Sequence, residues 1–343
     1  MKRLLYILIL GVVFSSCERE EGFEGPSLID QFGDFNIVDS LQISNANIDF
    51  ADGETSIFMA EFSKSVNWEI KITGGISGAV KIISGSSRII DEDNTSWDGS
   101  TTNLPMFKIE DCSVDLTVSY NINASDTIIS VADSLISVAS LSLTTTKVNN
   151  GLLLADFETG LDPNWNIFIQ SGGNMSFNVV SNNSPQGNSY YDMGGNVDWD
   201  WLIGLTDFPA EAYGSSTFDL SDNGDKVYFN VMLNMPVGLD NPPIVLFQFR
   251  EDDNNNGVFE DGLEDMYAIE IRDLAPGWQL VSLKYSDLTS LNDGAPSDPE
   301  GNGIHNPDLL NKVSILMLAQ QGGGYSQTLM DYVIFTEDQP FNP

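Results

Sequence analysis

Val245-Leu246-Phe247-Gln248-Phe249-Arg250 alternates apolar and polar without a break. In an extended chain successive side chains point to opposite faces. Val245, Phe247 and Phe249 therefore face one way, and Leu246, Gln248 and Arg250 the other. After a polar turn, Tyr267, Ile269 and Ile271 alternate with Ala268, Glu270 and Arg272. Upstream, Tyr228 and Asn230 alternate with Phe229 and Val231. These three strands predict one apolar and one polar face, and the apolar face makes the core of a two-sheet sandwich. The polar face then carries Tyr228, Asn230, Gln248, Arg250, Glu270 and Arg272. Planar polar groups of this kind suit sugar hydroxyls. The alternative is a solvated outer face holding an ordinary cross-strand Arg–Glu pair.

The same punctuation runs outward along the chain. Ser, Thr, Asn, Asp and Gly separate short apolar runs, and no window outside the extreme N-terminus keeps a helical period. Strands are predicted over 56–62, 67–72, 113–120 and 127–131. The chain is therefore all-β. Its 343 residues suit two domains, each with a sizeable core. The Ser- and Thr-rich stretch 132–150 places the boundary, giving units at 35–145 and 152–341. Trp68 reads as core in the first unit, and Cys112 as a small buried hydrophobe.

Composition excludes several functions. With 14 Lys and Arg against 50 Asp and Glu, the net charge is −36. Such a surface repels nucleic acid and anionic lipid and attracts cations, of which calcium is the natural candidate. Two-thirds of the negative charge falls after Leu152. Hydrophobic residues at 41% are too many for a disordered chain. The single histidine, His305, removes mechanisms that need a His pair or a Ser-His-Asp triad.

Residues 1–16 read as a secretory signal: Lys2 and Arg3, then the apolar run Leu4 to Phe14. The run is too short to span a membrane. Phe14-Ser15-Ser16-Cys17 resembles a bacterial lipobox, which implies cleavage before Cys17 and acylation of its thiol. Glu18-Arg19-Glu20-Glu21 resembles the surface-export signal of Bacteroidota lipoproteins, which implies an outer-membrane anchor facing the exterior. Residues 17–34 form a flexible tether. With Cys17 acylated, Cys112 has no disulfide partner.

Trp68-Glu69-Ile70 and Asn94-Thr95-Ser96-Trp97-Asp98-Gly99 resemble bacterial Ig-like modules, which implies an N-terminal Ig-like β-sandwich acting as a spacer. The second unit opens on Leu154-Ala155-Asp156-Phe157-Glu158-Thr159-Gly160 and closes on Leu329-Met330-Asp331-Tyr332-Val333-Ile334-Phe335, with Gly277-Trp278-Gln279 between. This order resembles the galactose-binding-like β-jelly rolls of carbohydrate-binding modules. That resemblance implies a structural calcium ion held by Glu158 and Asp331, and a structural role for Trp278. The whole chain resembles the accessory lipoproteins of outer-membrane glycan importers (starch-utilisation E/F-like proteins). This implies a non-catalytic surface protein that captures polysaccharide for an importer.

Two further features bear on a site. Asp252, Asn254, Asn256 and Gly257 match the first half of a D-x-[DN]-x-[DN]-G calcium loop, but position twelve is Leu263. The loop is no EF-hand. A second calcium held by Asp252, Asn254, Asn256 and Asp261 is still expected, because seven acidic residues stand between Glu251 and Asp265; a metal-free acidic loop is the alternative. In a strand, Trp199 and Trp201 share a face with rings about 7 Å apart. They either form a platform for sugar C–H faces or fill the core beside Ile203. Tyr325, after a Gly-rich loop, is a secondary aromatic candidate. The acidity disfavours a highly sulfated or uronic-acid polymer, so a neutral glycan such as a β-glucan is expected, while Arg250 and Arg272 leave an anionic one open. A hydrolase needs only two carboxylates. No E-x-D-x-x-E run, G-x-S-x-G elbow, Walker loop or H-E-x-x-H is present, which favours binding over hydrolase or lyase chemistry. A purely structural or protein-docking lipoprotein is the third reading.

Overall fold

The computed structural model describes residues 35–343 apart from 125–126, 171–173 and 199–201, and the side chains of 121–132 are also outside it. The signal segment 1–16, Cys17, the tether and both Trp199 and Trp201 therefore lie outside the described residues.

The first unit contains strands β1 (Ile37–Ile43), β2 (Asn47–Ile48), β3 (Ser56–Gly74), β4 (Val80–Ile90), β5 (Ser96–Trp97), β6 (Asp111–Ala124) and β7 (Thr127–Leu143). All seven join one sheet, antiparallel except where β2 meets β7. The two strands predicted at 56–62 and 67–72 are one, β3, broken by a register shift between Glu61 and Val66. An extra residue in a strand bends it. The segment before the shift pairs with β1, the segment after it with β6, and β4 runs along both. Phe58, Phe62, Trp68, Ile70, Trp97 and Leu116 form a core private to this unit. Cys112 is buried and free, and burial pushes its thiol up to about 12, which leaves it unreactive.

After Leu143 the chain starts a second fold. Its strands are β8 (Leu152–Ala155), β9 (Asn166–Ile169), β10 (Met175–Val180), β11 (Tyr190–Val197), β12 (Leu202–Pro209), β13 (Val227–Asn234), β14 (Ile244–Glu251), β15 (Met266–Ile271), β16 (Gln279–Lys284), β17 (Leu291–Asn292), β18 (Ala295–Pro296), β19 (Leu310–Leu318) and β20 (Gly324–Glu337). One sheet has six strands in the order β10-β11-β20-β13-β16, with β8 beside β20; the other runs β15-β14-β19-β12-β9. Both are wholly antiparallel. Their inner faces share one core. At its centre Phe229 and Phe335 from the first sheet meet Phe247 and Phe249 from the second, with Phe229 5.1–5.4 Å from each of the other three rings. Burying each such ring contributes roughly 1.5–3 kcal/mol. The alternation read from 245 to 249 is thus the inner phase of β14.

The outer face of the six-stranded sheet is partly covered. Met106 from the first unit packs on Met232, Tyr332, Ile334 and Phe341, with Leu104, Trp278 and Leu280 around it. Backbone bonds fix the contact: the Met106 N–H donates to Pro185 O (2.7 Å) and the Thr101 N–H to Pro343 O (2.8 Å). Trp278 is part of this packing, as a structural role requires.

Candidate functional site

The predicted three-strand polar face needs correction. β13 pairs with β16 and β20, whereas β14 and β15 belong to the opposite sheet. Tyr228 and Asn230 therefore lie on the far side of the sandwich from Gln248, Arg250, Glu270 and Arg272. Sequence adjacency misleads here because a sandwich chain crosses between sheets between consecutive strands. Asn230 is fully buried. Its amide donates to Thr336 Oγ1 (3.0 Å) and Ile334 O (3.3 Å), and its carbonyl accepts from the Phe341 N–H (3.1 Å), so it ties down the C-terminal tail.

The other four residues do come together, on the outer face of the five-stranded sheet. The pairing register aligns its outward side chains in rows. One row is Phe168, Leu205, Leu316, Leu246, Glu270; the next is Asn166, Asp207, Ser314, Gln248, Ala268. Beyond the first row lie Leu202, Leu318 and Ile244; beyond the second, Lys312 and Arg250. The face is thus split into an aliphatic half and a polar half. A cleft of about 520 Å³ lies over the aliphatic half, with Gln248 and Glu270 on its border and Asp293 and Gly294 of the β17–β18 hairpin as one wall. Glu270 pairs with Arg272, two residues along the same strand.

The polar half is a fixed network. Arg250 donates to Ser314 Oγ (2.8 Å) and Gln248 Oε1 (3.1 Å), and its guanidinium lies over the Phe259 ring at 5.7 Å. Ser314 passes its own hydrogen to Asp207 Oδ1 (2.6 Å), and Asn166 donates to Asp207 Oδ2 (3.1 Å). Burial pulls the Arg250 pKa down, and Asp207 and Asp261 oppose that pull. Ser314 and Asp207 are buried, so the network serves to hold the Arg250 and Gln248 side chains in place beside the aliphatic floor. Asp207 and Ser314 were missed in the sequence because nothing marked which strand stood beside β14.

Tyr325 lies on β20 in the other sheet, opposite Asn196, and is 39% exposed. Buried Asn241 fastens the neighbouring Gly-rich loop through Gln320 (2.6 and 2.8 Å) and accepts nothing from the cleft residues among its bonds. Tyr325 therefore flanks one end of the sandwich and does not line the cleft.

Two acidic sites were expected. At the first, Asp331 is fully buried between the opening and closing strands, and burial pushes its carboxyl up to about 8, with Glu158 and Asp156 adding to the rise. It accepts the Gln186 N–H (3.2 Å), and the Gln186 Oε1 is buried without a hydrogen-bond partner. Glu158 Oε1 accepts the Asn188 and Ser189 N–H groups (2.7 and 2.8 Å). A Cβ on Gly187 would lie 2.4 Å from that oxygen, so a side chain there would push the Glu158 carboxylate aside. Glu158 and Asp156 are thus felt electrostatically at Asp331, but among the described residues these three carboxylates do not form a group with oxygens within 4.8 Å of one another.

At the second, the expected ligands are spent on the turn. Asp252 accepts the Asn256 and Gly257 N–H groups (2.9 and 2.5 Å), while Asn254 and Asn256 donate to Glu260 (2.9 and 3.4 Å). Asp261 is exposed. The carboxylates that converge are instead Glu251, Asp253 and Asp265, each offering an oxygen within 4.8 Å of the others. Burial pushes Glu251 up to about 8, against hydrogen bonds from Tyr285 and Asn306. A signal for this was present: Glu251 continues the inward phase of Val245, Phe247 and Phe249.

No family model matches the chain, and no curated protein matches it. Solved structures do. The family 11 carbohydrate-binding module of the cellulosomal cellulase Lic26A-Cel5E of Clostridium thermocellum is 15% identical, over 56% of this chain and 96% of its own, with a TM-score of 0.37. The CBM22-1 xylan-binding domain of Paenibacillus barcinonensis Xyn10C is 14% identical over 56% and 98%, at 0.31. The enzymatically active domain of the bacteriophage CBA120 tailspike protein 4 is 10% identical over 57% and 22%, at 0.34. Identities and scores this low assign neither a family nor a ligand.

Proposed function

We propose that the chain is a non-catalytic, surface-displayed polysaccharide-binding protein. The observation that carries this reading is the outer face of the five-stranded sheet. It is divided into an aliphatic platform and a pre-ordered polar network, while part of the opposite outer face is covered by the first unit. Sugars need both surfaces at once. Gln248, Arg250, Glu270 and Arg272 contact the glycan from one side. Trp199 and Trp201, which directly precede β12 in the sequence, are the candidates for aromatic stacking, with Tyr325 as an outlying contact. The glycan is neutral, a β-glucan by preference, since the protein's charge of −36 repels acidic polymers.

In this reading Cys17 carries the acyl anchor in the outer membrane, residues 17–34 tether the protein, and the first unit is an Ig-like spacer. Capture at the surface supplies an importer. Glu158 and Asp331, with Gln186, hold a structural calcium ion that fastens the opening strand to the closing one. The two carboxylates on the cleft, Glu270 and Asp293, keep hydrolysis as the second reading. Affinity electrophoresis and calorimetry against a panel of neutral and acidic polysaccharides test the proposal. Retardation by a neutral glycan without release of oligosaccharide supports it. No retardation by any polysaccharide overturns it, and product release lost in Glu270→Gln establishes the enzyme instead.

A further inference from the structure

The three carboxylates at the base of the β14–β15 hairpin remain to be explained, and they stand apart from both the glycan face and the Glu158–Asp331 pair. Glu251 ends β14 and has no exposed surface. Its Oε1 accepts the Tyr285 O–H (2.8 Å) and the Asn306 N–H (2.9 Å). Its Oε2 is buried and has no hydrogen-bond partner. A buried carboxylate oxygen left unpaired is costly, and none of the ion pairs among the described residues includes Glu251, Asp253 or Asp265. Asp265, fully buried, accepts the Gly301 and Gly303 N–H groups (2.7 and 2.6 Å), and Asp253 accepts the Asp265 N–H (2.9 Å) and the Asn302 side-chain amide (2.7 Å). These bonds draw the 301–306 loop over the cluster. Gly301 is obligatory there, because a Cβ would sit 2.0 Å from Asp253 Oδ2.

We infer that Glu251, Asp253 and Asp265 form a calcium site that locks the β14–β15 hairpin to the 301–306 loop. Oxygens spaced up to 4.8 Å apart are all reachable from one ion at 2.3–2.6 Å, and an all-oxygen set selects a hard cation. Calcium takes 6–8 oxygens, so water and backbone carbonyls complete the shell. The ion gives Glu251 Oε2 the partner that the protein does not, and it offsets three negative charges gathered in one small volume. This site uses the same acidic hairpin that the sequence singles out, but the opposite phase of it.

The test uses the full chain, stripped with chelator and without glycan, so that it stands or falls apart from the binding reading. Calcium at about a hundredfold over its Kd should raise the melting temperature by roughly 5–10 °C. Glu251→Gln should melt at or above wild type in chelator, because it removes a buried carboxyl with an unpaired oxygen, and should lose the gain in calcium. Asp331→Asn should leave this site's share of the gain in place. Terbium gives a direct readout, since Tyr285 and Tyr267 donate to Glu251 and to Asp265 (3.3 Å) and can sensitise its emission. Tyrosine-sensitised emission displaced by calcium and lost in Glu251→Gln supports the site. Should Glu251→Gln not fold, Asp253→Asn, on the more exposed ligand, takes its place. Equal calcium gains and equal terbium emission in wild type and variant would overturn the inference.

Discussion

Truncating the aliphatic platform separates the two faces of the sandwich. Leu246 and Leu316 are cross-strand neighbours on the outer face, and both line the cleft. Each is partly buried in the free protein, so a sugar lying on the platform covers at most about the remaining third of each side chain. Leucine to alanine removes three carbon groups, worth ~2.4 kcal/mol at ~0.8 kcal/mol per CH₂ when fully covered. A third of that is ~0.8 kcal/mol per residue. The double variant Leu246→Ala/Leu316→Ala should therefore weaken glycan binding by ~1.6 kcal/mol, about 15-fold in Kd. Calorimetry on the glycan that wild type binds best measures this directly. The same variant should stay folded, with melting lowered by a few degrees, because the lost side chains lie outside the main core. Tyr228→Ala, on the opposite sheet, is the matched comparison and should bind as wild type does. If Tyr228→Ala weakens binding while the leucine pair does not, the ligand sits on the other face and the reasoning from the cleft is wrong.

Asn230→Ala should destabilise the fold by about 1–3 kcal/mol, since it strips partners from the Phe341 N–H and Thr336 inside the packed interface; urea melts read this, and glycan affinity of the folded fraction should not move. Asp331→Asn should raise stability in chelator and abolish that site's calcium-dependent gain, seen in paired thermal melts; a calcium response identical to wild type would remove Asp331 from the ligand set. Glu110 gives an acid-limb prediction. Burial works to raise its pKa, but the Lys108, Ser77 and Ile76 N–H groups and the Ser77 hydroxyl outweigh that and hold it below its ordinary value of 4.5. A carboxylate with a depressed folded pKa contributes stability above its unfolded pKa and loses it as pH falls through the folded one. Glu110→Gln should therefore cost stability at pH 7 and lose less of the remainder below about pH 4.5, where wild type loses most; parallel acid limbs would refute the assignment.

How far the sequence carries can be seen at β14. Period-2 alternation identified its inner and outer phases, and Phe247, Phe249, Gln248 and Arg250 all stand where that phase places them. Alternation says nothing of which strand lies beside which. Alternation therefore joins Tyr228 and Asn230 to the wrong sheet and does not reveal Ser314, one strand from β14, or Asp207, two strands away, both more than forty residues off in sequence from Arg250. The calcium loop failed for a related reason. A D-x-[DN]-x-[DN]-G pattern supplies side chains that either bind an ion or cap their own turn, and in Asp252 both oxygens are taken by backbone N–H groups. The Ser- and Thr-rich stretch 132–150 misleads in part, because its first twelve residues continue β7 to Leu143; one sheet ends there and the next begins at Leu152. The bend in β3 was not, since residues 63–65 look like a turn between two strands and act as an irregularity within one.

The covered sheet also constrains how the protein meets a large ligand. A glycan chain is long, and an open sheet face accepts it anywhere along its length, whereas a closed pocket accepts only an end. The two outer faces of this sandwich are equivalent in kind, and the sequence offers no reason to prefer one. Packing of Met106 and Leu104 across Met232, Ile334 and Leu280 covers part of one of them. Placing a charge at that contact, as in Met106→Asp, should loosen the first unit from the sandwich and expose the six-stranded face. The cleft over Leu246 and Leu316 should be left intact. Limited proteolysis should then cut between Leu143 and Leu152, and the released sandwich should keep the affinity of the whole chain. Lost affinity with the sandwich still folded would mean that the first unit contributes to the site directly, and that the face it covers is a binding surface in its own right.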